Sequence, residues 1–66
     1  MKNKLKIQRA IFELTQEELA YKIGVSRQTI NSMEKGKYVP STALALKLSN
    51  LFETTVNEIF ELEEGD

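Results

Sequence analysis

The 66-residue chain has neither cysteine nor histidine. No disulfide and no thiolate-bound metal can brace it, and catalytic constellations built on either residue are excluded. Long hydrophobic runs are missing too. None approaches the roughly 20 apolar residues of a membrane span, and Lys2, Lys4 and Lys6 lack the following hydrophobic region of a secretory signal. A soluble cytoplasmic protein without metal or cofactor is expected. The three glycines are scattered, so there is no glycine-rich phosphate loop. The carboxylates fall at the tail and on solvated helix faces, and an enzyme is not expected. The length suits one domain spanning residues 1–66, with a core so small that it is marginal alone.

What is present is concentrated between Thr15 and Gly36. Thr15 and Glu18 have the spacing of a capping box, in which each side chain bonds the other residue's backbone N–H. Leu19, Ala20 and Ile23 follow on one helical face. Gly24 enters the left-handed conformation at least cost and so ends that helix. Val25 can plug the turn. Ser26 is a second N-cap, opening a helix over 27–35 in which Ile30 and Met33 face inward. Arg27, Gln28, Asn31 and Ser32 are left outside, and Gly36 closes the unit. A long cation beside amide and hydroxyl groups suits a nucleic-acid groove. Arg matches the guanine edge and Gln or Asn the adenine edge, each with two hydrogen bonds in one plane. A helix fits the major groove with its N-terminal residues nearest the bases. The competing reading is an ordinary solvated helix face.

Gln16, Leu19-Ala20, Ile23-Gly24-Val25, Ser26-Arg27-Gln28-Thr29-Ile30, Met33-Glu34 and Gly36 together resemble the helix-turn-helix of phage Cro and repressor proteins, the xenobiotic response element (XRE) family of regulators. The likeness continues through Pro40-Ser41 and Thr55 to Phe60. It is greatest to the small stand-alone regulators of that family. It implies an all-α, five-helix, lambda-repressor-like DNA-binding domain with the helix-turn-helix at 16–35. It also implies a DNA-facing set. Arg27 and Gln28 are the base readers, with Asn31 and Ser32 one turn on. Gln16 bonds a phosphate or braces Gln28. Ser26 caps the helix and can touch phosphate, and Thr29 offers a hydroxyl to phosphate or a methyl to the core. Lys35, Lys37 and Tyr38 flank the helix near phosphates, which set register without reading sequence.

A helix is expected from about Lys4 to Glu13. Its stripe Leu5, Arg9, Phe12 contains a charge, and a buried charge without a partner costs several kcal/mol. Glu34 is the candidate partner, and the resemblance implies an intramolecular Arg9–Glu34 ion pair. Gln8 departs from the resembling family, where an apolar residue is commoner. Ile7 and Ile11 lie roughly 140° round from the Leu5 stripe. They are either isolated exposed side chains or a surface covered by the C-terminal segment or by another subunit. Pro40 disfavours helix at Val39. Ser41 caps a fourth helix to about Phe52, with Leu44, Leu48, Leu51 and Phe52 inward and Leu46 on the other side. Thr55 and Glu58 suggest another capping box, opening a fifth helix from Val56 to about Phe60, with Val56, Ile59 and Phe60 closing the core. Phe60-Glu61-Leu62-Glu63 alternates like a strand that Met1 to Asn3 could pair with.

Charge is divided along the chain. Residues 1–52 hold all nine Lys and Arg and four Glu, a net +5, whereas 53–66 hold six acids and no cation, a net −6. Phosphate affinity needs cations, so the basic part is expected to face DNA and the acidic end, 61–66, to point away. One helix reads only a few base pairs. A homodimer on double-stranded DNA is therefore expected, with half-sites about 34 Å apart. Ile7, Ile11, Ile59, Phe60 and Leu62 are the interface candidates, Phe60 with an equal claim as monomer core. Repression is the expected outcome, since little surface remains to recruit polymerase. The alternative is an antitoxin-like or co-regulator module that uses this fold to bind protein.

Overall fold

Helices start in this chain where a side-chain oxygen is available to the unpaired N–H groups of a first turn. In the computed structural model, which describes all 66 residues, five helices and two short strands follow in the order β1 (Lys2–Asn3), α1 (Leu5–Ile11), α2 (Gln16–Ile23), α3 (Arg27–Glu34), α4 (Thr42–Leu51), α5 (Val56–Ile59) and β2 (Phe60–Glu61). Thr15, Ser26, Ser41 and Thr55 each accept the backbone N–H three residues on. The Thr15–Glu18 capping box is complete in both directions. At Thr55 only half of it forms. Glu58 N–H donates to Thr55 Oγ1, and Glu58 gives no bond back.

α1 is shorter than the apolar stripe predicts. Lys4 N–H donates to the Ile59 carbonyl at 2.7 Å, which holds Lys4 outside the helix. Asn3 Oδ1 accepts from Leu5 N–H at 3.1 Å in place of a cap from Lys4. At the other end Glu13 turns into the left-handed region at φ 55°. Gly24 has φ 75° with nothing within 4 Å of where a Cβ would lie. The conformation, not crowding, favours glycine there, and Val25 N–H closes back on the Ala20 carbonyl at 3.0 Å.

Leu5, Leu19, Ala20, Ile23, Ile30, Met33, Leu44, Leu48, Phe52 and Ile59 form the core. α2 and α3 make the closest helix pair, which the small Ala20, 4% exposed, permits. Phe12 meets Phe52 edge-on, ring centroids 5.3 Å apart. Leu51, Val56 and Phe60 are only partly buried, so Ile59 alone of the α5 trio reaches the interior. That corrects the interface assignment of Ile59. At 1% exposure it has no surface to offer a second subunit.

β1 and β2 pair antiparallel, Lys2 with Glu61 and Asn3 with Phe60. Asn3 Nδ2 also donates to the Met33 carbonyl at 2.7 Å, fastening the strand to the end of α3. The C-terminal segment is thus committed to β1. Ile7 and Ile11 stay open to solvent, at 57% and 64% exposure, so the chain's own tail does not cover them. No helix is long and apolar enough to cross a membrane.

Candidate nucleic-acid interface

Both ends of α3 are anchored through backbone and short side chains, and the long side chains of its first turn, Arg27 and Gln28, make no bond within the protein. At the start, Ser26 Oγ accepts Thr29 N–H at 3.2 Å and lies 2.9 Å from Thr29 Oγ1. At the end, Gly36 takes φ 74°, its N–H donates to the Met33 carbonyl and Lys37 N–H donates to the Ser32 carbonyl. That bond pair is the glycine-terminated Schellman arrangement. A Cβ on Gly36 would come within 3.1 Å of the Met1 carbonyl oxygen.

Between these anchors Ile30 and Met33 are fully buried, which turns the opposite face of α3 outward. Arg27 and Gln28 are exposed, and Asn31 and Ser32 half-buried. Gln16, at the start of α2, meets α3 from the side. Gln16, Arg27, Gln28 and Asn31 line one shallow hollow with no apolar residue in its wall. Ser26 and Thr29 bond each other beside the first turn. Lys35, Lys37 and Tyr38 lie beyond the far end of α3 and are exposed. They are not part of the hollow.

Behind the hollow sits a charge pair. Arg9 Nε donates to Glu34 Oε2 at 2.7 Å and Nη2 to Oε1 at 3.2 Å, while Nη1 donates to the Leu14 carbonyl at 2.9 Å. The Glu34 side chain is 7% exposed and that of Arg9 16%. The bond to Glu34 outweighs burial and holds Arg9 firmly protonated. Burial pushes the Glu34 carboxyl up, but bonds from Arg9 and Gln16, with the charges of Arg9 and Lys6, leave it below the ordinary glutamate range. The stabilisation this gives is full above the unfolded glutamate pKa, about 4.3, and is lost as pH falls through the lower folded value. The melting temperature should therefore drop on acidification below about pH 4. Glu34→Gln should make that drop shallower in thermal scans, leaving the parts due to Glu18 and Asp66, whose carboxyls backbone N–H bonds also hold low. An unchanged slope would show that this carboxylate is not linked to folding.

Of the two roles expected of Gln16, a bond to phosphate or a brace for Gln28, the second is not formed. Gln16 Nε2 donates to Glu34 Oε1 at 3.1 Å and to Asn31 Oδ1 at 3.3 Å. Asn3, expected only as part of a short strand, also joins β1, α1 and α3 through its side chain. An Asn two residues before a helix is a capping signal that could have found it.

A family model described as helix-turn-helix matches residues 5–59. The chain belongs to the XRE-type helix-turn-helix family. It is a transcriptional regulator with a helix-turn-helix DNA-binding domain. Among similar proteins is the HTH-type transcriptional regulator MJ0272 of Methanocaldococcus jannaschii, 54% identical over 66 residues and the whole of both chains. The HTH-type regulator YgzD of Bacillus subtilis is 50% identical over 64 residues, 97% of each chain. Of solved structures, the SOS-response transcriptional repressor LexA from Eubacterium rectale superposes with a TM-score of 0.79 at 32% identity, over 94% of this chain and 66% of that one. α2, the turn at Gly24-Val25 and α3 all lie within the matched residues.

Proposed function

We propose that the protein is a sequence-specific repressor that binds a two-fold symmetric operator as a homodimer, with α3 in the major groove. The observation that carries this is the hollow formed by Gln16, Arg27, Gln28 and Asn31, at the N-terminal part of a helix whose other face is locked into the core. Arg27 and Gln28 lead, because the first turn of such a helix lies nearest the base edges. Ser26, Thr29, Ser32, Lys35, Lys37 and Tyr38 are read as flanking contacts, mostly to phosphate and sugar.

Size argues for two copies. The molecule measures 31 × 23 × 20 Å, so one copy cannot set reading helices about 34 Å apart, as half-sites one turn apart require. An apolar groove supports self-association. Val39, Pro40, Leu46, Val56, Phe60 and Leu62 line it, with Val39 57%, Leu46 53% and Leu62 75% exposed. A standard interface needs about 800 Å² from each partner, roughly a sixth of the 4595 Å² this chain exposes. Phe60 and Leu62 thus remain interface residues, joined by Val39 and Leu46. Ile7 and Ile11 form a separate apolar spot on α1, whose Leu5 and Arg9 are turned into the protein.

Enrichment from a random duplex DNA pool tests the reading, run beside the Arg27→Ala/Gln28→Ala double variant. The expected result is a symmetric motif with half-sites one turn apart. Losing two base contacts of about 1–3 kcal/mol each should weaken binding to that motif by more than tenfold. Weak, salt-sensitive binding by both proteins with no motif would sink the sequence-specific reading.

A further inference from the structure

Two side-chain amides at the edge of α3 are held in one orientation, and the charge that orients them lies behind them. Glu34 takes two hydrogen bonds from the Arg9 guanidinium. It is ionised and offers only lone pairs. The Gln16 atom facing Glu34 Oε1 at 3.1 Å is therefore Nε2, the donor end of the amide. The same nitrogen lies 3.3 Å from Asn31, so the Asn31 atom that meets it is the acceptor, Oδ1. Both Gln16 N–H protons are then used. The polarity of the chain Arg9–Glu34–Gln16–Asn31 is set from its charged end.

Two atoms are left over, Gln16 Oε1 and Asn31 Nδ2. Neither has a partner within the protein. Neither is sealed from solvent, because no buried side-chain nitrogen or oxygen is without a partner. Both residues border the hollow with Arg27 and Gln28.

Resting on the reading of α3 as the major-groove helix, we infer that Asn31 acts on DNA as a donor only, with Gln16 as the residue that positions it. The two-bond pairing of an Asn with adenine needs Oδ1 and Nδ2 to face the same base edge, Oδ1 accepting from the adenine amino group. Here Oδ1 already accepts from Gln16 Nε2 on α2, whereas Nδ2 has no partner in the protein and is open to solvent. Nδ2 is therefore the atom left to bond DNA, and its partner is an acceptor: purine N7, guanine O6 or thymine O4. Gln16 in turn presents an oxygen, which a phosphate cannot satisfy because phosphate oxygens are acceptors. Gln16 is thus a brace for Asn31 rather than a clamp on the DNA backbone.

The test is the same duplex enrichment carried out with the parent protein, Asn31→Ala and Gln16→Met. Met keeps the length of the side chain and removes its donors. Thermal scans should show both variants folded at the temperature of the selection, Gln16→Met with a lowered melting temperature because it loses a bond to the Glu34 carboxylate, so that a change in preference is not a change in folding. In the parent, the position whose preference flattens in Asn31→Ala should not be adenine. In Gln16→Met the Asn31 amide is free to rotate, and adenine at that position should gain on the order of fivefold or more over the other bases. Adenine at that position in the parent, no position that responds to Asn31→Ala, or a motif unchanged by Gln16→Met would each overturn the inference while leaving the operator reading intact. A parent protein that enriches no motif would overturn both.

Discussion

Arg9→Ala should lower the melting temperature by about 12 °C or more, or leave the chain unfolded. The substitution strands the Glu34 carboxylate at 7% exposure without its guanidinium. It also removes the donor to the Leu14 carbonyl. Removing one partner of a buried pair costs about 3–5 kcal/mol, because the other charge stays buried and unpaired. A domain of this size has about 3–10 kcal/mol of stability in all, so the loss is comparable with the whole. The exchange of both partners, Arg9→Met with Glu34→Leu, should recover much of it, since apolar groups of similar volume carry no desolvation penalty. The cycle of two single variants and the double variant, followed by thermal denaturation, measures the coupling. An Arg9→Ala protein that kept its melting temperature and lost only DNA binding would show that Arg9 acts at the interface and not in the fold.

The second large effect is on association. Leu46→Glu puts a charge into the groove between α4 and α5, at a side chain 53% exposed and outside the core. Folding should be little affected, since surface positions away from caps and buried pairs shift stability by about 0.5 kcal/mol or less. A carboxylate buried against its own symmetry mate is a different matter, because like charges brought together out of water repel and lose hydration. Sedimentation should show a monomer at concentrations where the parent is a dimer. Affinity for a symmetric operator should fall by about 10²–10⁴, the gain that linking two half-site contacts provides. Affinity for a single half-site should not change. Ile7→Glu/Ile11→Glu serves as the comparison. If that pair dissociated the dimer while Leu46→Glu did not, the subunits would meet across α1 instead.

Much of the fold was legible because its signals are local. A hydroxyl three residues ahead of a free N–H makes a cap at Thr15, Ser26, Ser41 and Thr55 whatever the rest of the chain does. Apolar spacing marked Leu19, Ile23, Ile30, Met33, Leu44 and Leu48 as inward, and all six are buried. Gly24 and Gly36 stood where helices end, and both take positive φ. The alternation in Phe60-Glu61-Leu62-Glu63 suited a strand, of which Phe60–Glu61 forms, and the fold class followed from these elements and the family likeness.

The remainder lay between residues far apart in sequence. The bond from Gln16 to Glu34 crosses 18 residues, that from Gln16 to Asn31 crosses 15, and that from Asn3 to Met33 crosses 30. No periodicity encodes which of several polar side chains an amide will reach once two helices pack. The same holds for Ile59, Phe60 and Leu62, three apolar residues within four positions. Local pattern makes all of them candidates for core or interface. The β1–β2 pairing decides, because it draws the chain straight after α5, so that Ile59 points inward, Phe60 is half-covered and Leu62 stays out. By itself, then, the sequence determined where helices begin and which faces they bury, since both depend on neighbours within one turn. Only the tertiary structure decided how the amides of Gln16 and Asn31 are oriented and which apolar side chains were left to form a groove, since both depend on contacts that exist only after the helices have met.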